Sequence, residues 1–439
     1  MTLAQDVPPD TDFGSRSLAG GAWLHVRRTA RFKSVWVDVF LPQLMQPTAT
    51  TRLALLGRLL ERGTRQLPDL RALNRYTDWL YGAAMSVQTL GFGPFQVLHL
   101  HYDAVDGTYV PEDGGNLLES GLRLLGDVLT DPYLEDGALP VSRLQQEKES
   151  LRRYVDGLHN DRSLLAQRRC MELMCAGSPW ALTAYGDPAE MADIQADELL
   201  RLLGSYSRTA PMDIYVCGDV EAEDVSDLCS EYLPRGDSRR VPPAVPGLPP
   251  PGISRHISEP GDVAQGRLVL GFRTPVLLSA SAADYAALLL LNLLFGGDAH
   301  SRLYNRVREE LGLCYHIASY LEPMAGLVLV EAGVEPTDRQ AVVEQVLGEL
   351  ADLAQKGPSM AEFERSQALA RQRFDSAIDG RDSLVRFHYT RRLAGSNTGR
   401  DCLLRALGSV TPEAVRCVAT DIRLDTVFFL APADALRRD

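Results

Sequence analysis

Residues 35–41 alternate: Val35, Val37, Val39 and Leu41 fall on one side, Trp36, Asp38 and Phe40 on the other. Successive side chains of a strand point to opposite faces, so this period of two predicts a strand with one uniformly aliphatic face. Segments 85–89 and 95–102 read as two further strands, and 267–272, 315–320 and 327–330 as strands later in the chain. Between them, apolar positions recur at helical spacing over 51–62, 69–81, 282–295 and 302–311.

The order of elements repeats. A helix-like run at 121–129, then Asp131-Pro132 and a charged helix at 145–153, is matched by 345–351, Gly357-Pro358 and 363–372. Strands at 213–217 and 425–430 close the two halves, each after a helix, 197–203 or 412–419. The repeat distance, about 210–230 residues, is far longer than a solenoid repeat. The pattern predicts a duplicated α+β domain, each copy an antiparallel β-sheet with helices packed on one face. Seven prolines between Pro234 and Pro251 preclude a helix or central strand there. They set the expected boundaries: a first domain at 1–222, a Pro-rich linker at 223–259 and a second domain at 260–439.

Composition narrows the function classes. A chain of 439 residues exceeds one hydrophobic core, and 45% hydrophobic with 23% charged residues fits a soluble globular protein. The net charge of −13 repels phosphate backbones, which argues against a nucleic-acid partner. The longest apolar run, 286–295, is broken by Asn292 and falls short of a membrane span, so no membrane partner is expected. The first 14 residues carry neither a basic nor an apolar stretch of a leader. Seven scattered cysteines, an odd number without a CxxC pair, point to free thiols in a reducing compartment, and the expected location is cytoplasmic.

Familiar catalytic motifs are missing. None of the eight histidines lies in a helical H-x-x-E-H, which would put two imidazoles and a general base on one helix face. His256 and Glu259 come nearest, but Pro260 follows them in the linker. His99, His101 and Asp103 share one strand face, where paired surface histidines are the ordinary reading and a metal site the alternative. The cysteines have no adjacent activating base. One segment is distinctive. Gly296 and Gly297 end a helix, Ser301 is placed to cap the next, and Gly312 closes that one. Arg308 then falls in the last turn and Tyr315 on the following strand, two donors able to converge on a peptide carbonyl. The ordinary reading is a dipole-favoured helix-end arginine beside a core tyrosine.

This segment resembles the second-domain signature of the pitrilysin/insulinase superfamily, which includes the mitochondrial processing peptidase subunits. The matching residues are Ser301-Arg302-Leu303, Val307-Arg308-Glu309 and Gly312-Leu313-Cys314-Tyr315. The resemblance implies that Arg308 and Tyr315 bind substrate peptide and that Gly296 and Gly297 are a short form of the family's glycine-rich substrate loop. Segment 263–272 resembles the strand that opens the second domain, and segments 78–87 and 146–148 resemble bacterial members lacking the metal motif.

The first half departs from the family at one place. Active members carry H-x-x-E-H a few residues before Gly-Thr. Here Gly63-Thr64 remain, but Ala54, Gly57 and Arg58 stand at the His, Glu and His positions. Glu147 matches the earlier of two later glutamates, and Tyr154 replaces the third zinc ligand seven residues on. Alanine has no ligand atom, glycine cannot be a base, and arginine stays cationic. The resemblance therefore implies the mitochondrial processing peptidase-like fold without metal or catalytic residues on this chain alone. It implies a heterodimer with a catalytic subunit whose H-x-x-E-H holds zinc, so that metallopeptidase activity on a peptide substrate needs both chains. The alternatives are a peptide-binding or scaffold protein without such a partner, and an enzyme active alone through a site such as His99 and His101.

Overall fold

The computed structural model describes residues 13–111, 115–236, 242–248, 252–377 and 380–432. Much of the polar N-terminal stretch and Pro249, Pro250 and Pro251 of the expected linker lie outside them. The strands are β1 (Gly14–Ser17), β2 (Trp23–Arg28), β3 (Ser34–Leu44), β4 (Ala84–Phe92), β5 (Phe95–Val105), β6 (Asp213–Gly218), β7 (Arg255–Gly261), β8 (Gly266–Arg273), β9 (His316–Glu322), β10 (Leu327–Val334) and β11 (Arg423–Pro432). The helices of the first half are α1 (Ala49–Leu60), α2 (Leu70–Trp79), α3 (Leu117–Thr130), α4 (Val141–Leu158), α5 (Arg162–Met174), α6 (Ala196–Thr209) and α7 (Ala222–Tyr232). Those of the second are α8 (Ala282–Phe295), α9 (Arg339–Lys356), α10 (Met360–Ala377), α11 (Arg381–Leu393), α12 (Arg400–Ser409) and α13 (Pro412–Thr420).

The repeat seen in the sequence is a repeat of topology. One sheet runs β1-β2-β6-β3-β5-β4 and the other β7-β11-β8-β10-β9. With β1 set aside, the orders correspond strand for strand. Each has a parallel pair, β2/β6 or β7/β11, followed by three antiparallel pairings. The sheets are therefore mixed, not purely antiparallel, because the last strand of each half inserts beside the first. In the first sheet Val35, Val37, Val39 and Leu41 join Leu98, Leu100 and Tyr102 in a core closed by α1, α3, α4 and α6.

The chain divides into two units, but not at the expected boundaries. One comprises Met1–Asp156 and Leu182–Pro243, the other Gly157–Ala181 and Ala244–Asp439. The linker expected at 223–259 is narrower: α7 occupies its start, and β7 pairs in parallel with β11 near its end. Helix α5, although from the first half, packs on β8 and β11 in the second unit. Its buried residues Ala166, Cys170 and Met174 recur every fourth position and form one face. Gly271 leaves the space that the Met174 sulfur fills. Arg273 Nη2 donates to the Met174 carbonyl at 2.8 Å, while its Nε donates to Asp425 at 2.9 Å. The second sheet is thus covered on both faces, where helices on one face alone were expected. Among the described residues no helix is long and apolar enough to cross a membrane, and no disulfide joins the seven cysteines, five of which are buried.

Candidate functional site

Helix α1 is fixed at both ends. At its start the Glu190 carboxylate accepts from Thr48 N at 2.9 Å, Thr48 Oγ1 at 3.0 Å and Thr51 Oγ1 at 2.5 Å, a favourable place for a negative charge. Beyond its end Gly63 has φ 139°, and the Leu67 carbonyl lies where a Cβ would be. Between these anchors, Ala54 is buried in the apolar core. Gly57 faces the sheet so closely that a Cβ there would stand 3.1 Å from Thr89 Cγ2 and 3.2 Å from Leu98 Cδ1.

Arg58 points to α4 and meets the other positions singled out in the sequence. Its guanidinium carbon lies 5.7 Å from the Tyr154 ring centroid, and its Nη1 lies 3.3 Å from Ser150 Oγ and 3.5 Å from Glu147 Oε2. Arg62, which the sequence reading passed over, donates from Nε to the other Glu147 oxygen at 2.7 Å. Tyr154 also packs edge-on against Tyr185 at 5.0 Å. Glu147 is buried between two cations that sit one turn apart and would otherwise repel each other. Burial pushes the nearby Glu61 carboxyl up; Arg62 and Arg58 oppose the shift and Glu147 adds to it. A zinc ion asks for neutral imidazole, thiolate or carboxylate donors. Of the positions matched to the metal motif and Glu147, only Glu147 offers one, and guanidinium groups engage both its oxygens. The donor set does not fit the metal that the family's active members carry.

In the second unit, the expected helix at 302–311 is wound as a π-helix over Tyr304–Glu310. Leu311 N donates to Arg306 O at 3.1 Å, five residues back, and Leu313 N to Val307 O at 3.0 Å. Ser301 Oγ accepts from Tyr304 N at 3.4 Å, as its capping role requires, and Gly312 takes φ 63°. Gly296 ends α8 with φ −152°, outside the left-handed region. It is needed for close approach, since a Cβ would lie 2.9 Å from Ser319 atoms on β9. Gly297 is crowded likewise by Asn292, 2.9 Å from the amide nitrogen.

The sequence reading brought Arg308 and Tyr315 to one spot, but among the described residues no hydrogen bond or ring contact joins them. Arg308 lies over the Tyr304 ring at 4.5 Å and donates to the Tyr304 hydroxyl. Tyr304, one turn earlier, is the positioning residue the sequence reading missed; its i,i+4 spacing was the available signal. Tyr315 is 72% exposed, an unusual state for a tyrosine at the start of a sheet strand, and only its backbone is tied, N to Gly333 O at 3.2 Å. Between them, burial pushes the Cys314 thiol up to about 11 despite Arg308, so this cysteine is no nucleophile at neutral pH.

On the face of the first sheet away from α1, Asp38, not Asp103, is the partner of both histidines. Asp38 Oδ1 lies 2.7 Å from His99 Nε2 and 2.9 Å from His101 Nδ1, and Trp36 Nε1 donates to Oδ2. Burial pushes this carboxyl up, but the bonds from His101 and His99 outweigh it and hold it below its ordinary value.

With this geometry in view, known proteins agree on a family. Residues 193–369 match the family described as Peptidase M16 inactive domain. Over most of its length the chain is similar to the M16, pitrilysin-type, peptidases. A Bacillus subtilis relative, named probable inactive metalloprotease YmfF, is 28% identical over 94% of this chain and 97% of its own. A conserved protein from Enterococcus faecalis has the same fold, with a TM-score of 0.88 at 23% identity over 96% of this chain and 99% of that one. The periplasmic protease PqqL from Escherichia coli aligns with a TM-score of 0.73 at 14% identity, over 98% of this chain but 48% of PqqL. Both the matched family model and the Bacillus relative are described as inactive, in keeping with Ala54, Gly57, Arg58 and Tyr154 at the positions that the resemblance matched to the metal motif.

Proposed function

We propose that this chain is the non-catalytic subunit of a heteromeric zinc peptidase, holding a substrate peptide for a partner whose H-x-x-E-H binds the metal. The observation that carries this reading is at Arg308 and Tyr315: Tyr304 orients the Arg308 guanidinium, while the Tyr315 hydroxyl is exposed and without a partner among the described residues. A guanidinium with N–H donors to spare and a free phenol are suited to a peptide carbonyl and to the negative charge that develops on it. Gly296 and Gly297 keep the preceding turn against β9, so the peptide-holding elements sit on a rigid base. The match of this whole chain to about half of PqqL supports a two-chain assembly, in which a second chain of similar length supplies the remainder. The expected setting is the cytoplasm.

The test is a tagged pull-down from native cytosol, followed by identification of the partner and a peptide-hydrolysis assay. A stoichiometric partner bearing H-x-x-E-H, with zinc-dependent hydrolysis absent from the lone chain, is the expected result. In the reconstituted pair, Tyr315→Phe should lower kcat/KM about 100-fold, and Arg308→Ala should also raise KM. Unchanged kinetics in both variants would overturn the peptide-holding role. A chain that elutes alone yet binds peptides would be a binding protein instead.

A further inference from the structure

We infer that Asp38, His99 and His101 form a binding site for one divalent transition-metal ion of the zinc class, on the sheet face opposite α1. His99 and His101 are two apart on β5, so both imidazoles leave the same face. Asp38 is paired directly with His101 across β3 and β5, and Phe40 with His99. One ligand atom from each of the three lies within 4.8 Å of the other two. Around a zinc-class ion, with bonds of about 2.0–2.2 Å, donors stand about 3–3.5 Å apart. The carboxylate-to-imidazole separations of 2.7 and 2.9 Å need open by only a few tenths of an ångström.

The site is built, not incidental. All three ligands sit on paired strands, away from loops. His99 stacks on Phe40 at 4.6 Å with 10° between the rings, and His101 packs against Trp36 at 4.3 Å. Trp36 Nε1 holds the second carboxylate oxygen and leaves Oδ1 as the ligand. His99 Nε2 and His101 Nδ1 both face the Asp38 carboxylate as donors, so a metal ion would take the place of the shared protons and each imidazole would ligate as its other tautomer, His99 with its proton on the buried, unpartnered Nδ1. Two imidazoles and one carboxylate suit zinc, nickel or iron rather than calcium or magnesium. Three protein ligands leave a position open for water or another ligand. This site is separate from the α1 and α4 positions where the family's zinc motif has been lost.

The experiment uses the full chain stripped with a chelator, carrying Cys402→Ser and Cys417→Ser because those two exposed thiols would bind metal themselves. Titration with cobalt(II) should saturate at one equivalent and give the weak visible bands of a nitrogen–oxygen ligand set. Zinc should displace the cobalt and raise the melting temperature. In His101→Gln, affinity should fall by at least about tenfold and the thermal gain should vanish, with an unchanged circular dichroism spectrum. Affinity in His101→Gln equal to the parent's would overturn the assignment. If that variant fails to fold, the parent decides the matter: absence of saturable nitrogen–oxygen bands at one equivalent sinks the proposal.

Discussion

The two places that the resemblance marked for chemistry differ in how the fold uses them. In the first unit the positions that the resemblance matched to the metal motif are absorbed into the fold. Ala54 is core, Gly57 lets the helix lie close on the sheet, and Arg58 bridges to Glu147 and Tyr154. In the second unit Arg308 is engaged by Tyr304 and by Glu309 at 3.5 Å, and no described group holds the Tyr315 side chain. A site taken over by structure shows its side chains engaged with one another. A site kept for a ligand, as we propose for the second, leaves a donor such as the Tyr315 hydroxyl unengaged.

The comparison can be broken most forcefully at Glu147. Glu147→Ala leaves two guanidinium groups facing each other, and it should cost about 2 kcal/mol, less than a fully buried pair because both arginines reach solvent. A melting temperature within a degree of the parent's would mean that the ion pair does not hold α1 to α4. Next is Gly57→Ala. Alanine in a helix interior ordinarily gains up to about 1 kcal/mol over glycine, but the contacts with Thr89 and Leu98 should turn this into a loss of about 1 kcal/mol. Gly204→Ala, with open space around its Cβ in α6, is the control that should show the ordinary gain.

Glu61 sharpens the comparison through pH. Its folded carboxyl titrates above the ordinary value of 4.5, so the folded state keeps a proton that the unfolded state has released. Stability is therefore lost as pH rises through that window. Glu61→Gln should raise the melting temperature at pH 7.5, and the gain should fade below about pH 4.5, where both states are protonated. A gain that persists unchanged in acid would contradict this. The smallest effect belongs to Tyr315→Phe, which should move stability by less than about 0.5 kcal/mol while reducing hydrolysis by the assembled pair. A clear drop in stability would show that the hydroxyl serves the fold after all.

Much of this was legible in the sequence. Alternation marked β3, the repeated order of elements marked the two halves, and the resemblance, registered on Gly63-Thr64, singled out Arg58, Glu147 and Tyr154. The π-winding was not legible, because a shift from fourth- to fifth-neighbour hydrogen bonds leaves no mark on apolar periodicity. Nor was the destination of α5, whose face of every fourth residue says that it packs but not on which sheet. His99 and His101 were visible as a pair, but their link to Asp38 depends on the cross-strand register, which no single strand contains. Tyr304 could have been found from its spacing to Arg308. The expected linker was too long because proline density marks where helices cannot run, not where an edge strand such as β7 can begin.

The assignment of Gly157–Ala181 to the second unit bears on how the chain can be divided. The repeat has its seam near residue 243, but the fold does not. A chain severed there leaves the N-terminal piece with α5 and no sheet to cover, and the C-terminal piece with one face of β8 and β11 stripped. Splitting the gene at the repeat would yield two partners that must find each other, not two free-standing modules. The copy made by duplication and the part that can be inherited alone are different lengths of sequence.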